Sequence, residues 1–212
     1  MTKKLHLGCG RNTIGGWINT DFDLVKYPSG PKHLDVTDKF SIREKGKDDI
    51  IIDDNSVDYI FSEHMIEHLT YQEGKFMLEE CFRVLKVGGK IRISTPDLKF
   101  LIDLYTDDKT DLQKRYIDYT VNHRAYNVSI GIDTFIINNY VRDWGHIFIY
   151  DEKTLKSLFE SVGFSDVKSY LISESEDENL KNLENINDET NIRQGLTKEF
   201  LQLETFTLEA TK

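Results

Sequence analysis

An α/β domain built on a mostly parallel sheet is predicted by three features of the sequence. A short apolar run, Lys4-Leu5-His6-Leu7, feeds straight into the glycine-bearing turn Gly8-Cys9-Gly10-Arg11-Asn12. Strand-like and helix-like patterns then alternate from Val57 to Tyr105, the order of a parallel sheet with helical crossovers. The last third holds two more strand-like stretches after a capped helix. With 212 residues the chain can bury a full core, and a single domain over 1–212 is the expectation.

Gly8 and Gly10 lack a Cβ, so they can take positive φ and let backbone approach a ligand at the end of a buried strand. Residues 17–20 read as a second strand ending at Asp21, with Asp23 close behind. Residues 24–56 read as irregular, broken by Pro28 and Pro31, with one apolar and acidic unit at His33-Leu34-Asp35-Val36. Ile50-Ile51-Ile52 is read as part of that loop, and Asp53-Asp54-Asn55-Ser56 as a turn into a strand over 57–62. From 71 to 86, Met77, Leu78, Cys81, Phe82, Val84 and Leu85 recur at helical spacing, with Gly88-Gly89 as the stop. Residues 90–95 form a strand ended by Pro96, and Asp97 caps a helix whose apolar stripe is Leu98, Leu101, Ile102 and Tyr105.

Residues of about 107–145 interrupt the alternation as an insertion, with a helix around 112–124 and an aromatic segment through Tyr126, Phe135, Tyr140 and Trp144. A loop of this length in an α/β domain reads as a lid or acceptor platform. Asp151 caps a helix with Leu155, Leu158, Phe159 and Val162 on one face and Gly163 as its stop. Residues 167–172 and 200–210 read as strands, the second with a parity change between Leu203 and Phe206 that suggests a bulge or cover on both faces. The acidic stretch 173–191 reads as a solvated helix or loop without chemistry.

The glycine turn suits either of two cofactor classes. A dinucleotide fingerprint wants a third small residue, a helix N-terminus facing the pyrophosphate, and an acid about 20 residues on. Here Thr13 stands at the third position, the acid arrives already at Asp21, and residues 7–17 are too few for a crossover helix. A ligand without phosphate needs no helix N-terminus, which favours an adenosyl cofactor over NAD. LHLGCGRN followed by GWINTDFD resembles the opening of class I S-adenosylmethionine (SAM) methyltransferases, in particular a small branch of the type 11 group. The resemblance continues through Asp35, residues 57–69, FRVLKVGGKIRISTPD and HIFIYDEKTLKSLFESVGF. It implies a Rossmann-like class I methyltransferase fold with an antiparallel last strand, SAM as cofactor and methyl transfer as the activity.

Carried onto the matching positions, the resemblance implies that Gly8, Cys9 and Gly10 pack on the methionine part of SAM, that Asp21 accepts from the ribose hydroxyls and that Asp35 accepts from the adenine amino group. Asp23 is the fallback for Asp21; Asn12, Val36 and Ser62 complete the expected cofactor set. Cys9 is expected for its small size, since no basic neighbour in sequence would activate the thiol.

Ser62-Glu63-His64-Met65-Ile66-Glu67-His68-Leu69 begins where a strand ends, at the edge where open α/β sheets keep their sites. If it turns helical at once, His64, Glu67 and His68 share a face. His-x-x-Glu-His is also the inverted zincin pattern, which would need a long helix and a further ligand. A metal-assisted methyltransferase is a second reading, because some SAM enzymes resemble this stretch with Glu-x-x-Glu-His and a later histidine; the ligands would be His64, Glu67, His68 and His146. The preferred reading is a metal-free site with His64 or His146 as general base, suited to the task by an unperturbed pKa of about 6.5.

A formal charge of −10 argues against a nucleic-acid backbone as partner. Two cysteines make neither metal spacing nor a disulfide framework. With no signal-like start and no apolar run of membrane length, a cytoplasmic protein is expected. Aromatic residues interleaved with amides in the insertion, with Arg124 or Arg142, suit a small polar acceptor such as a sugar or sugar-linked metabolite, methylated on oxygen or nitrogen. A non-catalytic SAM- or nucleotide-binding protein is the competing class.

Overall fold

A computed structural model of the protein describes residues 2–28, 31–43, 50–123, 132–184 and 197–212. The strands are β1 (Lys4–Leu7), β2 (Ile18–Asp21), β3 (Lys32–His33), β4 (Ser41–Ile42), β5 (Ile50–Ile51), β6 (Val57–Glu63), β7 (Leu85–Pro96), β8 (Ser165–Tyr170) and β9 (Thr205–Thr211). The helices are α1 (Tyr71–Val84), α2 (Leu98–Leu104), α3 (Asp111–His123), α4 (Asp133–Arg142), α5 (Glu152–Val162) and α6 (Lys198–Glu204). Seven strands form one sheet in the order β3-β2-β1-β6-β7-β9-β8. Within this sheet all pairings are parallel except those of β9, which runs antiparallel to both β7 and β8.

The pleat sorts side chains onto two unlike faces. Register places Leu5 beside Ile60, Ile60 beside Ile91 and Ile91 beside Ala210, and this apolar face packs on α1 and α5 in the main core. One residue along, His6, Phe61, Arg92 and Glu209 line up on the other face. There Trp17, Leu180 and Leu183 cover Phe61. A turn before β2 and the segment 171–184 thus do the work that crossover helices do elsewhere. Buried Arg92 holds that segment to the sheet: Nε donates to Glu184 at 2.6 Å, and Nη1 donates to Glu209 at 2.6 Å and to the Glu174 carbonyl at 2.7 Å. The expectation that this acidic stretch is solvated holds for Glu174, Glu176, Glu178 and Asn182 and is corrected for Ser175, Leu180, Leu183 and Glu184, which are buried because Arg92, Glu209 and Phe61 supply partners far away in sequence; residues 185–191 lie outside the described residues.

Helix α1 begins with a capping box, in which Glu73 N–H donates to Thr70 Oγ1 and Thr70 N–H to Glu73 Oε2. It does not end at Gly88-Gly89. The chain passes at Leu85 directly into β7, and the glycines lie inside the strand, absorbing a register shift between Val57 and Tyr59 of β6. Gly88 has φ of 79°, and a Cβ at Gly89 would come within 2.9 Å of the Lys86 carbonyl oxygen.

Ile50–Ile51 pairs antiparallel with Ser41–Ile42 instead of staying in a loop. Helix α2 is capped by Asp97 as expected, but it buries Phe100, Leu101 and Leu104 while Ile102 and Tyr105 stay exposed. It faces the insertion and α6, which turns the helix away from the predicted stripe. Among its described residues the insertion holds α3 and α4, whose Tyr116, Ile117, Val121, Ile136 and Tyr140 form a second core with α2 and Phe200. Arg124 and Tyr126 lie outside the described residues. Residues 198–204 are helical, so the parity change after Leu203 marks a helix passing into β9 and not a bulge, and β9 itself is covered on both faces, buried from Thr205 to Ala210. Among the described residues no helix is long and apolar enough to cross a membrane.

Candidate active site

At the end of β1, Gly8 and Gly10 take φ of 61° and 53°. A Cβ on Gly8 would stand 2.9 Å from Met65 Cβ, so glycine is required on conformation and on space. Gly10 N–H donates to Asp21 Oδ2 at 2.8 Å, and Asp23 N–H to Asp21 Oδ1 at 2.9 Å. Asp21 therefore ties the glycine turn to the end of β2. The short crossover is held by Asn19, whose amide donates to the carbonyls of Ile14 and Trp17 and accepts from Ile14 N–H at 2.8 Å. One side chain replaces the backbone ladder of a helix.

These groups open into a cavity of about 840 Å³ at the carboxyl edge of β1, β2 and β6. Gly8, Cys9, Gly10, Asn12, Asp21, Asp35 and Val36 of the expected cofactor set all line it. Ser62 does not. It sits on the apolar face beside Leu7 and Ile93, fully buried, because strand parity turns it away from the cavity. Asp35 follows β3, and its Oδ1 takes both the N–H and the hydroxyl of Thr37. The fallback Asp23 also lines the wall. Burial, reinforced by Asp21, pushes the Cys9 thiol up to about 12, so it stays protonated and fills space.

Sequence reasoning passed over Glu63, Met65, Leu69 and Tyr27, which line the same cavity. Glu63 was the readable one among them: it ends β6 at the edge where sites collect, and it accepts from Asn12 at 3.4 Å.

The segment after β6 does not become a long helix. It makes a single turn at Ile66–His68, after His64 takes φ of 48°. His64 lines the cavity, and its Nε2 lies 3.0 Å from Thr205 Oγ1. His68 lines it too. Glu67 is buried below them, accepting from Thr95 Oγ1 at 3.0 Å, while its backbone carbonyl receives Ile147 N–H and Phe148 N–H at the end of the insertion. His146 is brought against Glu67 but does not line the cavity; its side chain is 5 % exposed. Burial, and His68 nearby, hold its pKa below the usual histidine value.

A mostly parallel sheet with its last strand reversed, and a two-glycine turn answered by an acid on the next strand, put the cavity at the edge where open α/β sheets keep their sites. Residues 5–93 match the family described as "Methyltransferase domain". A structure titled as a SAM-dependent methyltransferase from Archaeoglobus fulgidus shares 18 % identity at a TM-score of 0.53, over 100 % of this chain and 86 % of that one. One from Mesorhizobium loti shares 10 % at 0.55, over 99 % and 90 %. A third, from Methanosarcina mazei, shares 14 % at 0.52, over 99 % and 92 %. These likenesses show a shared fold. No curated protein matches the chain. The fold is thus that of class I methyltransferases, and the family match falls on its first half, from β1 into β7.

Proposed function

We propose that the chain transfers the methyl group of SAM to an oxygen or nitrogen of a small polar acceptor, a sugar or sugar-linked metabolite being the first class to test. The observation that carries this reading is the meeting, in one cavity, of the glycine turn, Asp21, Asp35 and His64. The residues fit SAM. Backbone left bare by Gly8 and Gly10 receives the methionine part beside Cys9 and Asn12; the Asp21 carboxylate, already oriented by Gly10 and Asp23, offers acceptors to a ribose diol. Asp35 and Val36 take the adenine end. When bound, SAM supplies a methyl carbon activated by its sulfonium, so positioning carries most of the catalysis.

The chain's own contribution to chemistry is then to orient the acceptor and take its proton. His64 is the proposed base, because it reaches the cavity and Thr205 fixes its ring. His146 stands one layer back and acts on the site through Glu67.

Calorimetry with SAM, followed by methyl transfer to pooled sugars and sugar-linked metabolites, tests the reading. Asp21→Ala should bind SAM at least tenfold more weakly while keeping its circular dichroism. Unchanged affinity in the folded variant would move the ribose contact to Asp23. Binding by the wild type without turnover on any pool would favour the non-catalytic class.

A further inference from the structure

Glu67 and His68 lie in the turn after β6, and His146 comes from the end of the insertion, far away in sequence. One carboxylate oxygen and two imidazole nitrogens from these residues nevertheless lie within 4.8 Å of one another. Glu67 Oε1 is 3.9 Å from His68 Nε2 and 4.0 Å from His146 Nε2. Such spacings exceed a hydrogen bond. They approach those of three ligands around one ion, which stand about 3.3 Å apart when each bond is about 2.0 Å.

Both rings are aimed by backbone carbonyls. His68 Nδ1 donates to the Gly145 carbonyl at 3.2 Å, and His146 Nδ1 donates to the Tyr140 carbonyl at 2.9 Å. A carbonyl can only accept, so in each neutral ring the proton sits on Nδ1 and the lone pair on Nε2, toward Glu67. This is the outer-shell arrangement that fixes ligating histidines. Thr95 Oγ1 in turn holds Glu67 Oε2, which aims Oε1 at the two rings.

We propose that Glu67, His68 and His146 bind one divalent first-row transition ion of the zinc type in the cavity wall. Two imidazoles and a carboxylate suit such an ion better than magnesium or calcium, which prefer oxygen ligands. The set differs from the four-ligand one weighed on the sequence: His64 Nδ1 comes within 3.7 Å of Glu67 Oε1, but His64 is not part of the group whose ligand atoms all lie within 4.8 Å of one another, and its Nε2 is engaged by Thr205. Sequence reasoning expected no metal; this convergence is the reason to propose one. His68 also lines the cavity, so the ion's remaining position opens toward the acceptor. Resting on the methyltransferase reading, that position would take an acceptor oxygen and make its proton easier to lose, which narrows the acceptor to an alcohol or phenol over an amine.

The test is cobalt(II) titration of the full-length, chelator-stripped protein in the absence of SAM, read by visible d–d absorption, with zinc(II) competition. The wild type should bind one equivalent that zinc displaces. His68→Ala, at a half-exposed position, should weaken binding at least tenfold, as should Glu67→Gln and His146→Ala, while His64→Ala keeps its bands. Circular dichroism checks that each variant is folded, and His68→Ala carries the test if the buried variants are not. No stoichiometric cobalt binding by the wild type, undiminished binding in folded His68→Ala, or loss in folded His64→Ala would each overturn the proposal. SAM calorimetry on the same samples is a separate readout, so failure of the ion site is distinguishable from failure of the cofactor reading.

Discussion

His6 shows how one buried ring links the site to stability. It is 1 % exposed, its Nδ1 donates to Asn19 Oδ1 at 3.1 Å, and its ring lies 4.9 Å from that of Phe61. Burial lowers its pKa to about 4. The unfolded chain takes up this proton near pH 6.5, while the folded chain refuses it until about pH 4. Between those values the unfolded state binds more protons, so stability present above pH 6.5 is lost as pH falls toward 4. The loss should total about 3 kcal/mol at no more than about 1.4 kcal/mol per pH unit. Urea titrations at pH 7, 5.5 and 4.5 should show this slope in the wild type and a flatter one in His6→Gln; equal slopes would refute the assignment. At this scale the sequence displayed much of the cavity wall, because glycines and acids beside a strand end have few other reasons to be there. It could not display the partnership of His146 with Glu67, which depends on where an insertion returns.

The elements were most legible where local chemistry defines them. The Asp97 and Asp151 caps and the left-handed Gly163 stop, with φ of 114°, are short-range devices and stand where their residues announce them. The Thr70 and Glu73 capping box belongs with these, and Thr70→Ala should cost about 1 kcal/mol of stability, measured by urea denaturation. SAM affinity should not change, since neither residue lines the cavity. A change in affinity without loss of stability would place Thr70 in the site. Elements were misread where tertiary partners decide. The run Phe200-Leu201 followed by Leu203 looks like a strand, yet residues 198–204 are helical, and the buried Tyr116 and Tyr140 hydroxyls both bond Glu204. Of the stripe read for α2 only Leu101 is buried; Leu98, Ile102 and Tyr105 are exposed, because nothing local announces the insertion it packs against.

Across the whole molecule, the two faces of the sheet are held by different physics. One is an ordinary apolar core under α1 and α5. The other depends on Arg92, fully buried and bonded to Glu184 and Glu209, with Ser175 donating to Glu209 at 3.0 Å. Replacing Arg92 with Met leaves two buried carboxylates without their cation and should cost about 3–5 kcal/mol. A loss below about 1 kcal/mol in urea would show that apolar contacts alone hold the segment over 171–184.

The place of β9 between β7 and β8 bears on how the protein is born. A ribosome releases β8 before β9, so the earlier strand emerges with no neighbour to pair with. Residues 165–170 must wait, as an unmatched edge, until residues 205–211 arrive and slot in between. Completion of the sheet is thus deferred to its latest-made strand, and a nascent chain stalled within 171–204 carries an exposed β7 margin that invites capture by a chaperone.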